Sequence, residues 1–455
     1  MFLFLNRNQK IWLIIFLAAT IFISLSYSFY FQISPAVDAG AYDNIARNLV
    51  QGNGYLEALG VPPEKDNSII RVGPGYEIFL AAIYYIFGHH YEAVWIIQGL
   101  ISALSALLIF LITKEVFGTR WNFLIGLTAA VLIGFSPDLI TMQGMLMTET
   151  LGVFFIALTS YLFCRYYNAV EKSLPSVFLL GLSLGAAILV RTPTAFLLFP
   201  IAIYFFALRN WKHFLLMSIA IAALFLPWTV RNYQIYGVFL PTNAAAGFNL
   251  LTGNHPGASG EQGDFSVLDR YPPELSGVQV NKEATRDAVK FILANPLEFL
   301  KLTIYRISIY FSFARPTGFW FHLFGWSKAV TLASSAVYSV LLFVLGFWGI
   351  WSLFAESREA RQISYMNGRE KTLAKLFLAM LVMMPLAVVG IIIETRYRML
   401  AYPFFAVFAG YGLSEFLASR LSWKPAFYLA LILILNTGFD VARNLGRIIE
   451  RIQNL

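Results

Sequence analysis

Cysteine is all but missing from this chain: Cys164 is the only one in 455 residues. A lone thiol excludes an intramolecular disulfide and any cysteine-based metal site, and its place at the end of an apolar run reads as packing. Charge is scarce too. Asp, Glu, Lys and Arg make up 13% of the chain, against about a quarter in soluble domains, which excludes an ordinary soluble fold. There are five histidines. The adjacent pair His89-His90 lacks the spacing that converges two ligands on a helix, and no acidic ligand stands at diagnostic spacing from it. Nothing in these residues requires a cofactor, and a divalent metal has no support in the sequence. Internal repeats and low-complexity tracts are absent, which removes repeat architectures. The basic excess, 33 Lys and Arg over 25 Asp and Glu, is not gathered on one polar face, so nucleic acid is excluded as a partner.

Apolar residues are what the chain has in abundance, 58% of it, and they come in long runs. A bilayer core takes about 20 apolar residues per helix. On that measure the expected fold is an all-α polytopic membrane protein with about eleven spans, two more or fewer: 11–31, 93–113, 121–136, 148–165, 176–190, 194–208, 213–230, 328–354, 374–393, 399–418 and 424–440. The run 76–87 is too short to cross and reads as a helix at the interface. The first run is longer than a signal-peptide core and lacks a small-x-small site after it, so it reads as an uncleaved anchor.

Basic residues orient the chain. Arg7 and Lys10 place the amino end in the cytoplasm, and the gaps holding Lys114/Arg120, Arg165/Lys172 and Arg209/Lys212 then fall inside. The first loop, 32–92, and the polar segment 231–300 fall outside. Counting 298–320 as a span would put the basic gap Arg358, Arg361, Arg369, Lys371 outside, so this segment, with Lys301 and Arg306 in its middle, reads as an amphipathic helix on the outer face. The expected divisions are a membrane core at 1–230 that includes the outer loop 32–92, an external loop and amphipathic helix at 231–327, and carboxy-terminal spans at 328–455.

Against that topology, charged residues collect at the outer ends of spans. Asp38, Asp43 and Arg71 lie in the first loop, Asp138 and Glu149 flank a later gap, and Arg191, Arg231, Arg396 and Arg398 oppose the positive-inside trend. Charge at membrane depth costs about 2.5–3.5 kcal/mol and is usually met by a partner or a watery cavity. Five arginines so placed point to an anion site, with phosphate as the candidate anion. On a helix Asp38 and Tyr42 share a face while Asp43 points away. Asp38 is then either a carboxylate at the mouth of a cavity or a plain helix cap; spacing alone leaves both open. Asn254 and His255 lie in a glycine-rich turn, which explains them as well as a site does.

Several stretches resemble the bacterial family 39 type of GT-C membrane glycosyltransferases, relatives of the protein O-mannosyltransferases and the lipid A aminoarabinose transferase. They are Asp38-x-x-x-Tyr42-x-x-x-Ala46 with Gly52-x-Gly54-Tyr55; 71-RVGPGYEIFLAAIYYIFG-88; 136-SPDLI-140 with Thr148-Glu149; Arg191-x-Pro193; 228-WTVRNYQIYGVFLPTNAAAGFNLLTGNHPGASG-260; and 396-RYRMLAYPFFAVFAGYGL-413. The chain departs from the better-known relatives where they carry an acidic pair and it has Asp38-Ala39. A large external domain after the last apolar run is not expected here, a second departure.

The resemblance implies transfer of a sugar from a polyprenyl-phosphate donor to an acceptor hydroxyl of a protein, lipid or polysaccharide, with inversion, at the extracytoplasmic face of a bacterial plasma membrane. It implies Asp38 as the general base. Arg71, Arg191 and Arg396 become candidates to hold the donor phosphate, and Tyr42, Glu149 and Arg398 candidates to position the acceptor. A lipid or polysaccharide transporter or flippase is the rival reading, since intramembrane charge also marks transport paths.

Overall fold

The computed structural model describes residues 4–261, 265–315, 322–354, 366–417 and 422–446. Arg358, Arg361 and the 316–320 end of the amphipathic segment lie outside them. The described residues form helices α1 (Arg7–Phe31), α2 (Asp38–Val50), α3 (Pro74–Phe87), α4 (Tyr91–Phe117), α5 (Phe123–Gly134), α6 (Pro137–Gly144), α7 (Glu149–Asn168), α8 (Leu174–Val190), α9 (Leu198–Ala207), α10 (Trp211–Tyr236), α11 (Ala246–Gly253), α12 (Gly277–Ala294), α13 (Pro296–Phe311), α14 (Gly325–Phe354), α15 (Gly368–Val389), α16 (Tyr402–Leu417) and α17 (Lys424–Arg443). Short 3-10 turns join several of them. One isolated bridge, Glu261 to Ile393, is the β-pairing among the described residues.

Eight of these helices are long and apolar enough to cross a bilayer, nine if the bent pair α5–α6 is one span. The chain is an integral membrane protein. Nine lies within the expected eleven, two more or fewer; the runs at 176–190 and 194–208 form shorter helices, the second preceded by the 3-10 turn Thr192–Leu197. The run 121–136 is also interrupted. Ser136 caps the next helix through the Leu139 amide and Pro137 occupies its first position, so α5 stops and α6 leaves at 43°.

Chain ends sort to opposite poles of the bundle. At one, Glu115 meets Arg165 at 3.7 Å, the Thr119 amide donates to Glu370 at 2.8 Å, and Lys172 and Arg369 both donate to the carbonyl of Tyr167. The basic gaps after α4, after α7 and before α15 therefore share one face. On α13 the exposed Leu297, Leu300, Ile304 and Ile307 form one stripe at helical spacing.

Helix α16 is the most enclosed span, between α5 and α14. It gets close to α14 because Gly412 faces Gly349; a Cβ on Gly412 would lie 2.9 Å from the Gly349 backbone. Gly73 and Gly75 do the same for the other pole. Gly73 has φ +141°, and a Cβ on Gly75 would lie 2.9 Å from the Leu189 carbonyl. The start of α3 thus rests directly on the end of α8, and Arg71 and Arg191, just outside the two contacting ends, come to one pole.

Candidate active site

Asp38 is the first residue of α2 and no side-chain cap bond is made at this helix end. The chain enters α2 through a tight turn in which the Ala39 amide donates to the Ala36 carbonyl at 3.1 Å and Val37 has φ 53°. A β-branched residue is strained there. The Asp38 carboxylate turns outward to guanidinium groups: Arg396 donates to one oxygen at 2.8 Å, and Arg71 faces the other at 3.8 Å. Tyr42 lies one turn along the same face, buried, its ring 5.6 Å edge-on from Tyr76. Asp43 points away and accepts from Tyr84 at 2.6 Å, Tyr91 at 3.2 Å and His89 at 2.9 Å.

Around Asp38 the charges interlock. Arg71 donates to Glu57 at 2.8 and 2.5 Å. Burial works against the Arg71 charge, but the Glu57 hydrogen bonds and the nearby carboxylates outweigh it and hold the guanidinium above its ordinary value. Arg396 also meets Glu394, and Glu149 at 3.9 Å. Burial pushes the Glu394 carboxyl up, with Arg396 pulling against it. Arg191 donates to Thr148 at 2.9 Å and Glu149 at 3.0 Å beneath the Tyr397 ring.

Exposure ranks these groups. The side chains of Asp38 and Arg71 are 22% and 26% exposed, while Arg396, Arg191 and Glu149 are 4%, 2% and 0%. Asp38 and Arg71 are open to solvent, while Arg191 and Glu149 stand buried behind Arg396. Arg398 lies elsewhere. It turns the opposite way from Arg396 and donates to the Ser312 carbonyl at 2.8 Å, Ser339 at 3.1 Å and Tyr402 at 3.1 Å, with Asp138 at 3.9 Å. Tyr402 and Ser335 donate to the same Asp138, at 2.6 and 2.5 Å.

A groove of about 830 Å³ runs past Tyr55, Pro74 and Gly75, the last two shortly after Arg71 in the chain; Asp38, Arg71 and Arg396 are not among its lining residues. Ile78, Phe79, Phe155 and Leu224 make it apolar, and Tyr55, Trp228 and Arg231 stand along it. Arg231 donates to the Tyr55 carbonyl at 3.0 Å and lies 5.0 Å from the Trp228 ring. Among the described residues it meets no carboxylate within ion-pair distance. The three arginines near Asp38, by contrast, share four carboxylates: Asp38, Glu57, Glu149 and Glu394. Among the described residues no group of three or more His, Cys, Asp or Glu is placed to hold a metal ion.

Sequence reasoning gave Glu57 and Glu77 no role. Glu57 lies in an irregular loop, which Asp66 folds by accepting from the Glu57, Ala58 and Ser68 amides; its link to Arg71 spans 14 residues without periodicity. Glu77 has the place of an ordinary first-turn acid, yet it is fully buried.

Residues 71–230 match the family model described as dolichyl-phosphate-mannose-protein mannosyltransferase; Asp38 precedes the matched segment. Among solved structures, the oligosaccharyltransferase AglB of Archaeoglobus fulgidus, in complex with an inhibitory peptide and a dolichol-phosphate, is similar at 14% identity and a TM-score of 0.48, over 96% of this chain and 55% of that one. ArnT of Cupriavidus metallidurans, bound to undecaprenyl phosphate, is similar at 14% identity and a TM-score of 0.39, over 90% of this chain and 78% of that one. The chain thus spans about half the length of the archaeal protein. No curated protein matches it. The match runs from the arginine that faces Asp38 to the helix that carries Trp228 and covers about a third of the chain.

Proposed function

We propose that this protein transfers a sugar from a polyprenyl-phosphate carrier to an acceptor hydroxyl at the extracytoplasmic face, with Asp38 as general base. The observation that carries the reading is the Asp38 carboxylate, 22% exposed and held by Arg396 at 2.8 Å. The groove takes the start of the isoprenoid chain, and Arg231, the cation beside it without a carboxylate, meets the phosphate together with Arg71. The residues 231–300 form the acceptor side.

In the reaction the acceptor oxygen attacks the anomeric carbon as its proton passes to Asp38. The bond from that carbon to the phosphate oxygen breaks, and the electron pair leaves on the phosphate, which gains one negative charge. A single displacement inverts the anomeric centre. Arg71 and Arg396 then face an anion that has grown during the step, the condition under which fixed cations lower a barrier. Arg191 and Glu149 keep Arg396 in place from behind.

The test uses purified protein in liposomes with a labelled polyprenyl-phosphate hexose, wild type beside Asp38→Asn. The variant is expected to bind donor normally and to lose transfer and slow donor hydrolysis by about a hundredfold or more. Turnover retained in the variant would sink the base assignment. Lipid crossing the bilayer without any transfer would put the flippase reading in its place.

A further inference from the structure

Arg306 and the turn at 253–260 have no part in the reading above, yet they hold the segment that displays Arg396. Arg306 sits within α13, fully buried, and among the described residues no carboxylate lies within ion-pair distance of it. Its guanidinium donates to the carbonyls of Val389, at 3.2 Å, and Gly253, and to the Asn254 side-chain oxygen at 3.1 Å. Val389 ends α15 and Gly253 ends α11. The buried charge is thus met by the negative ends of two helices, and Arg306 ties them together.

Asn254 extends the tie. Its side-chain amide donates to the carbonyls of Gly390 at 3.3 Å and Ile391 at 3.1 Å, besides Leu250 at 2.9 Å. A Cβ on Gly253 would collide with the Ile391 carbonyl, so only glycine lets the two backbones approach this closely. Two residues on, Ile393 pairs with Glu261. Residues 389–393 are therefore gripped by the outer loop along their length. Glu394 and Arg396 follow, and Arg398 is anchored beyond them through Ser312, Ser339 and Tyr402. Arg396 projects from a stretch clamped on both sides.

We infer that Asn254 and Arg306 are positioning residues that fix where Arg396 meets Asp38, and so couple the outer loop to the catalytic edge; the inference rests on the proposed role of Asp38. Neither residue touches the reacting atoms. Asn254→Asp keeps the oxygen that Arg306 uses and removes the donations to Gly390 and Ile391, while Asn254→Ala removes both. Hydrogen exchange over 390–396 and steady-state transfer are measured on the full chain in detergent or liposomes. Glu370→Ala, at the opposite pole, serves as a destabilised control.

Both Asn254 variants are expected to exchange faster over 390–396 and to lose about tenfold in kcat, the effect of two buried hydrogen bonds removed, with the donor KM little changed. The control is expected to lower melting temperature without either effect. Unchanged exchange over 390–396 would overturn the tie. Faster exchange with full kcat, or an equal kcat loss in the control at matched melting temperature, would overturn its link to catalysis. If wild type and Asp38→Asn both transfer nothing from any donor, the role of Asp38 falls, and exchange over 390–396 alone decides whether the tie exists.

Discussion

The buried carboxyl of Glu77 makes stability depend on pH in a direction that can be worked out beforehand. Burial pushes it from 4.5 up to about 8, and the Tyr55 hydroxyl and the Arg71 charge pull back without offsetting this. A group with a raised folded pKa binds more protons folded than unfolded between those two values. Its effect is therefore absent at low pH, and stability falls as pH rises through the window. The linkage relation gives a loss of roughly 3 kcal/mol between about pH 5.5 and about pH 9 from this residue alone. Glu77→Gln removes the titration. Scanning melts of both proteins in one detergent across that range should show the wild type losing several degrees relative to the variant as pH rises. Carboxylates elsewhere affect both proteins alike, so the difference between the curves is the quantity to read. Parallel curves, or a difference that grows toward acid, would refute the assignment.

Two further outcomes follow from the charge arrangement. Arg231→Gln is expected to weaken polyprenyl-phosphate binding by about 10- to 100-fold, the loss of a charge-assisted contact; lipid titration followed by native mass spectrometry checks it, and unchanged affinity places the phosphate elsewhere. Glu149→Gln leaves Arg191 buried without its counter-ion and should cost about 3–5 kcal/mol. The double change Glu149→Met with Arg191→Met should recover much of that in the same melting assay.

Much of the architecture was legible because hydropathy reports burial in lipid directly. The face shared by Asp38 and Tyr42 comes from local periodicity, and α2 carries both residues one turn apart; the runs 76–87 and 298–320 were legible as helices, and α3 and α13 lie there. The α5–α6 break escaped notice because an apolar count runs through Ser136-Pro137, although a cap residue followed by proline is a helix-start signal. Partner choice was not legible at all. That Arg396 would hold Asp38 while Arg398, two residues away, joins Asp138 depends on which way a 3-10 turn faces between α15 and α16. Likewise Glu77 is unusual only through the enclosure that Tyr42, Tyr55 and Tyr76 give it, and no spacing rule encodes that.

The turn at Val37 has a consequence for how the protein is made. Local preference does not favour a β-branched residue at φ 53°, so the place of Asp38 is imposed from outside its own segment. The residue that grips it, Arg396, lies 358 positions later in the chain. During synthesis α1 and α2 are made long before that arginine exists. The amino-terminal bundle therefore matures with its acidic edge unlatched, and the edge is set only when the last quarter of the polypeptide arrives.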